Sequence, residues 1–117
     1  MAPLIFGDGE QTRDYVYIRD IVEANMLAMH SRNAAGEVFN IGTGVEVSVN
    51  EVANVLKQLM NKAELQDIHA APRPPDVRRG FADIEKAKKL LGYKPRFSLR
   101  EGIADLIKQY SVKMEKP

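Results

Sequence analysis

Arginine is the side chain in this sequence best suited to chemistry on a ligand. Arg13 follows a Gly7-Asp8-Gly9 turn at the mouth of a predicted strand, and Arg73 opens a proline-rich stretch far along the chain. A guanidinium presents a planar fork of donors that matches a phosphate or carboxylate through paired hydrogen bonds. Two such forks from distant segments would hold a diphosphate from opposite sides. Blander readings stay open at this level. Arg13 and Asp14 also fit the solvated charges of a hairpin loop, Asp76 also fits a plain ion pair with Arg78, and Phe6 also fits a core residue.

Catalytic constellations are missing by comparison. His30 and His69 are the only histidines, lie far apart and have no HExxH context, which argues against a two-histidine metal centre. The absence of cysteine excludes disulfides, thiolate zinc sites and cysteine nucleophiles together. Ser48 and Ser98 are better explained as helix caps. Asp8 and Glu10 fall in a loop with no apolar surround to raise a carboxyl pKa. A dinucleotide site needs a glycine-rich turn after a first strand, so that a pyrophosphate can reach backbone and a helix N-terminus. Here the pairs Gly7 with Gly9 and Gly42 with Gly44 are isolated and read as turns.

The elements that must position the arginines are set by pattern. Leu4 to Phe6 is an apolar strand stopped by the Gly-Asp-Gly turn, and the aromatic and β-branched run Tyr15 to Ile18 predicts a second strand. Ile21, Val22, Met26, Leu27 and Met29 recur at helical spacing over Arg19 to His30, with Met26 and Met29 read as core filler. After a turn at Asn33 to Gly36, the alternation of Glu37 to Ile41 predicts a strand ending at Gly42-Thr43-Gly44. Ser48 with Glu51 forms a capping box for a helix from Val49 to about Met60, burying Val52, Val55, Leu56 and Leu59. A strand is expected around Asp67 to Ala71. The stretch Arg73 to Gly80 is irregular because of its prolines. Asp83 caps a short helix through Leu91 with Gly92 as its stop. Ser98 and Glu101 repeat the capping box for a last helix over Ile103, Leu106, Ile107 and Tyr110, and a tail at 112–117 is expected to fray. The result is one small, mixed α/β domain over residues 1–117, with few short strands and about four helices.

Bulk properties narrow the class. At 117 residues, 44% hydrophobic and 28% charged, the composition is that of a soluble globular domain. A net charge of +1 argues against a dedicated nucleic-acid binder. The cluster Arg73, Arg78, Arg79, Lys86, Lys88 and Lys89 reads as a solvated face, with a basic nucleic-acid loop as the alternative. No apolar run approaches the ~20 residues of a membrane helix, so no membrane partner is expected. The N-terminus lacks a signal-peptide pattern. A cytoplasmic location is the default, although a cysteine-free chain suits any compartment.

Five segments in order carry a resemblance: GDGEQTRDYVYIRDIVEA from Gly7, VFNIGTG from Val38, SVNEVA from Ser48, RPPDVRRGFAD from Arg73 and KAKKLLGYKP from Lys86. Together they resemble the substrate-binding half of nucleotide-sugar epimerases and dehydratases, the extended class of short-chain dehydrogenases/reductases. The resemblance implies that half without its Rossmann domain. By the resemblance, Arg13 and Arg73 grip the diphosphate of a UDP-sugar, and Asp76 accepts hydrogen bonds from the ribose hydroxyls. Phe6 and its strand lie against the nucleobase, Asn40 stands near the phosphates, and Gly80 occupies the position that gates the sugar ring. A residue as small as Gly80 implies a roomy sugar pocket. Two departures bear on this: Pro75 stands where the family usually has glycine before the acid, and no Tyr-x-x-x-Lys pair exists, since Tyr15 is followed four on by Arg19 and Tyr110 by Met114.

The resemblance accordingly implies no cofactor on this chain, NAD on the whole enzyme, and no epimerase activity from the chain alone. A UDP-glucose 4-epimerase-like parent is implied, with a dehydratase or reductase branch as alternatives. A stand-alone module pairing with a separate cofactor-binding chain is a further alternative. Homodimerisation through bared apolar surface is also expected.

Overall fold

Ladders between distant segments organise the molecule, seen here in a computed structural model that describes residues 1–115, with side chains through Ser111. Strand β1 (Leu4–Phe6) pairs parallel with β4 (Ile68–Ala70), register Leu4 to Ile68 and Phe6 to Ala70. Strand β2 (Thr12–Arg13) pairs antiparallel with β3 (Val47–Ser48), Thr12 opposite Ser48. The helices are α1 (Ile18–His30), α2 (Val49–Leu59), α3 (Glu85–Leu91) and α4 (Leu99–Glu115), with a single 3₁₀ turn at Arg32–Ala34. This is the small mixed α/β arrangement expected. Of the tail expected to fray over 112–117, residues 116 and 117 lie outside the described residues.

Local chemistry sets the helix ends. Ser48 Oγ accepts from the Glu51 N–H at 3.1 Å. The box at α4 is reciprocal: Ser98 Oγ accepts from the Glu101 N–H at 3.1 Å, and Glu101 Oε1 accepts from the Ser98 N–H at 3.2 Å. Gly92 ends α3 at φ 68°, a left-handed conformation that costs glycine little. Asp83 caps the same helix one residue early, accepting from the Glu85 N–H at 3.1 Å.

Two strand expectations are corrected. Tyr15 to Tyr17 is a loop leading into α1, and the strand lies earlier, at Thr12–Arg13. Packing overrides the β propensity of these aromatics: the Tyr17 ring tilts against Phe97 with centroids 4.9 Å apart, and its hydroxyl donates to Asp105. Glu37 to Ile41 keeps the alternating burial of a strand, Phe39 and Ile41 packing inward while Val38 and Asn40 are exposed, but it joins no ladder. Among the described residues, none of the backbone N–H groups from Val38 to Ile41 donates to another backbone group.

The core is a cluster of Ala24, Ile84, Ala87, Leu91 and Tyr93, flanked by Leu27, Ala28, Phe39 and Ile41. Tyr93 is its bulkiest member, and its hydroxyl donates to the Gly42 carbonyl at 2.7 Å. Burial pushes this phenol up to about 12. A second apolar contact joins α2 to α4, where Val52 and Leu56 face Leu99, Ile103 and Leu106 across a groove of about 290 Å³. These α2 residues are half-buried, and only Ala53 of that helix is buried.

Helix α1 corrects a third expectation. Ala24 faces the core, but Met26 and Met29 are not core filler: Met29 is 74% exposed and Met26 45%. Ile18, Val22, Met26 and Met29 fall at i, i+4, i+8 and i+11, within one stripe of about 80° on a regular helix. The stripe is exposed along its length, so α1 is apolar on two opposed faces, a pattern that fits a helix placed between two layers. The molecule is also flat, 50 × 40 × 20 Å, with a radius of gyration of 17.0 Å. A compact chain of this length has about 13 Å. Among the described residues no helix is long and apolar enough to cross a membrane.

Candidate functional site

Because β1 and β4 run parallel, the chain leaves both on the same side, into the Gly7-Asp8-Gly9 turn after one and Pro72-Arg73 after the other. The Gly7 N–H donates to the Ala70 carbonyl at 2.9 Å, which holds the two exits together. Between them opens a cavity of about 330 Å³, walled chiefly by Phe6, Asp8, Gln11, Pro72, Asp76 and Arg78. The β2/β3 ladder sets its rear: the Val49 N–H donates to the Gln11 carbonyl at 3.1 Å, and the Thr12 N–H to the Arg78 carbonyl at 2.9 Å.

Each candidate arginine is joined to a different wall residue. The Arg73 guanidinium lies over the Phe6 ring, 4.4 Å from its centroid, within the range of a cation–π contact. Arg13 is fixed three ways: Nη1 donates to the carbonyls of Thr12 and Val77, each at 2.6 Å, and Nη2 donates to Asp76 Oδ1 at 2.6 Å. Asp76 therefore pairs with Arg13, not with Arg78. Arg78 instead grips both oxygens of Asp8 at 2.8 and 2.9 Å. That guanidinium, with the Glu10 N–H, holds the Asp8 carboxyl well below its usual range, at about 2.

Gly80 lies behind Arg13. Its N–H donates to Thr12 Oγ1 at 3.4 Å, and a Cβ there would stand 3.8 Å from Arg13 Cδ, an ordinary contact. Asn40 joins none of these contacts; it is exposed on the segment that packs through Phe39 and Ile41 onto the core. Phe6 and Asp76 thus line the cavity, Arg73 and Arg13 lie against them, Gly80 neighbours Arg13, and Asn40 stands apart.

Gln11 was not singled out by sequence, yet it is buried in the cavity wall, with Nε2 donating to the Phe6 carbonyl at 3.1 Å and to Asp76 Oδ2 at 3.3 Å. Asp14 and Asp20 were likewise hidden. Asp14 accepts from the N–H groups of Thr43, Gly44 and Ala82 and from the Thr43 hydroxyl. Burial pushes its carboxyl up, but those four donors outweigh it and hold the group below its ordinary value. Asp20, 2% exposed, accepts from the N–H groups of Arg96 and Phe97 at 3.0 and 3.2 Å. Nothing local marks a carboxylate whose partners sit so far along the chain.

The glycine pairs have internal causes. A Cβ at Gly9 would stand 2.0 Å from Asn50 Oδ1, and one at Gly42 would stand 2.5 Å from Asp14 Oδ2 and 2.9 Å from the Ala82 Cβ. Asn50 in turn donates to the Asp8 carbonyl at 3.0 Å and to Glu10 at 2.6 Å, locking the turn that floors the cavity.

The sequence profile of the GDP-mannose 4,6 dehydratase family matches residues 1–106. The chain belongs to this family. It superposes on the UDP-glucose 4-epimerase of Thermotoga maritima, solved with UDP-glucose, with a TM-score of 0.90 and 41% identity, covering 97% of this chain and 36% of that one. It is also similar to the UDP-glucuronic acid 4-epimerase of Bacillus cereus, solved with UDP-glucuronic acid and NAD, with a TM-score of 0.80 and 36% identity over 92% of this chain and 36% of that one. The UDP-glucose 4-epimerase of Mycolicibacterium smegmatis is 37% identical over 111 residues, 95% of this chain and 35% of the relative. This family member thus spans about a third of the length of the relatives it matches.

Proposed function

We propose that this chain is the UDP-sugar-binding portion of an NAD-dependent, UDP-glucose 4-epimerase-like enzyme, and that it is inactive without the half that carries the cofactor. The observation that carries the reading is the cavity at the paired ends of β1 and β4, where Phe6 and Asp76 each bear an arginine. In this reading Phe6 offers a flat face to the base, and Arg13 and Arg73 turn to the diphosphate from their present partners. Asp76, released from Arg13, accepts from the ribose, and Gly80 leaves room for the sugar beside the Arg13 stem. Asn40 takes no part in it.

Gly9 and Gly42 do not form a cradle for NAD. In a dinucleotide cradle the glycines leave space for the pyrophosphate, whereas Gly9 and Gly42 leave space for Asn50 and Asp14. In this reading the redox step belongs to another part of the enzyme, and this chain contributes binding and orientation. Titration calorimetry with UDP-glucose tests the reading. Saturable binding, weakened at least about tenfold in Arg13→Ala, supports it; no binding by the unaltered chain sinks it, and turnover of UDP-glucose by the pure chain with NAD overturns the claim of inactivity.

The exposed stripe of α1 supports a covering partner, either the cofactor half of the same enzyme or, in the second reading, a separate chain. Without it the chain is expected to dimerise through this face. Sedimentation should show self-association relieved by Val22→Lys with Met29→Lys. A chain that is strictly monomeric at high concentration counts against the covered face.

A further inference from the structure

We propose that Gln11 determines which ligands the cavity accepts, because its amide oxygen is a fixed acceptor that favours a ligand donating a hydrogen bond there. The inference rests on the nucleotide reading of the same cavity and goes beyond it by naming a contact and a selectivity. Gln11 lines the cavity while remaining only 9% exposed. Its Nε2 sits 3.1 Å from the Phe6 carbonyl and 3.3 Å from Asp76 Oδ2. Both neighbours are acceptors without a proton to give, so the nitrogen and its two hydrogens must stand there. Turning the amide round would set oxygen against a carbonyl and a carboxylate.

Oε1 is therefore the free end. Among the described residues no donor reaches it, and it is not among the side-chain atoms sealed from solvent without a partner. The Phe6 carbonyl belongs to the β1/β4 ladder, so the amide keeps this brace against rotation when Arg13 turns from Asp76 to a diphosphate. The charges around it are matched, Arg78 with Asp8 and Arg13 with Asp76. What the wall leaves unmet is a neutral acceptor. A site built to receive a hydrogen bond rejects an analogue lacking the donor, because its own polar atom is then left unpaired.

Two parts of a uridine nucleotide could supply that donor: a ribose hydroxyl, or the imide N–H of the base, which cytosine lacks. Gln11→Met keeps the length and removes the acceptor. Calorimetric titration of the unaltered chain and Gln11→Met with UDP, its 2′-deoxy and 3′-deoxy analogues, and CDP separates the cases. The substitution is expected to weaken UDP about tenfold. The one analogue without the relevant donor should bind the unaltered chain weakly and be weakened no further by the substitution. If that analogue is a deoxy form, the donor is the ribose hydroxyl it lacks; if it is CDP, the donor is the imide. Equal weakening of all four ligands marks a merely structural residue and overturns the proposal, as does no weakening of any, and both leave the nucleotide reading standing. Failure of the unaltered chain to bind UDP overturns both.

Discussion

Four aspartates of this molecule form two pairs with the same side chain and opposite uses. Asp14 and Asp20 are held by backbone N–H groups from Thr43, Gly44, Ala82, Arg96 and Phe97. Asp8 and Asp76 are held mainly by the ends of long side chains, Arg78, Arg13 and Gln11. A backbone donor cannot leave without unfolding its segment, whereas a guanidinium can rotate toward a better anion. The first pair ties loops to the frame, and the second lines a cavity with exchangeable partners. What separates them is the mobility of the donor, not the acid.

The comparison breaks most visibly at Asp20. Asp20→Ala leaves two backbone donors unpaired in a buried place, and urea unfolding should show a loss of roughly 3 kcal/mol; a change no larger than that of a surface substitution would erase the distinction. Asp14→Asn should cost less, about 1–2 kcal/mol, because the amide still accepts from part of the donor set. It also sharpens the comparison through pH. The folded carboxyl of Asp14 lies below its ordinary value, so its contribution is complete above the unfolded pKa and is lost as pH falls through the folded one. Acid titrations of stability should therefore lose part of their low-pH limb in Asp14→Asn. The smallest effect is expected at the cavity. Arg78→Ala should let the Asp8 pKa climb from about 2 toward the ordinary carboxylate value in a proton NMR titration, with the melting temperature nearly unchanged.

What was legible in the sequence was local. Ser98 with Glu101, Ser48 with Glu51 and Gly92 declare themselves within a few residues, because a cap is satisfied by its own turn of helix. The parallel partners Leu4–Phe6 and Ile68–Ala70 were each readable as strands, but nothing in either said that they pair. Met26 and Met29 misled because an apolar period reports that a face will be covered without saying by what. Glu37 to Ile41 misled similarly, since its alternation is real and its ladder has no partner here. At the site, arginine chemistry and the family resemblance together pointed to Arg13, Arg73, Asp76 and Phe6, and the structure groups them. Gln11 was missed because a lone polar residue after a turn is usually solvated, and only the fold shows it walled in.

Flatness has a consequence of its own. A 20 Å plate admits about two layers of packed elements, so water is never more than one side chain away from any part of the interior. Unfolding such a plate uncovers little new apolar surface, which makes the heat-capacity step and the denaturant slope small for the chain's length. A broader melting transition is expected, with partly opened forms closer in free energy to the intact one than in a globular chain of this length. Thinness, more than any single weak contact, is therefore expected to broaden the unfolding transition, and a layer laid against the plate to sharpen it.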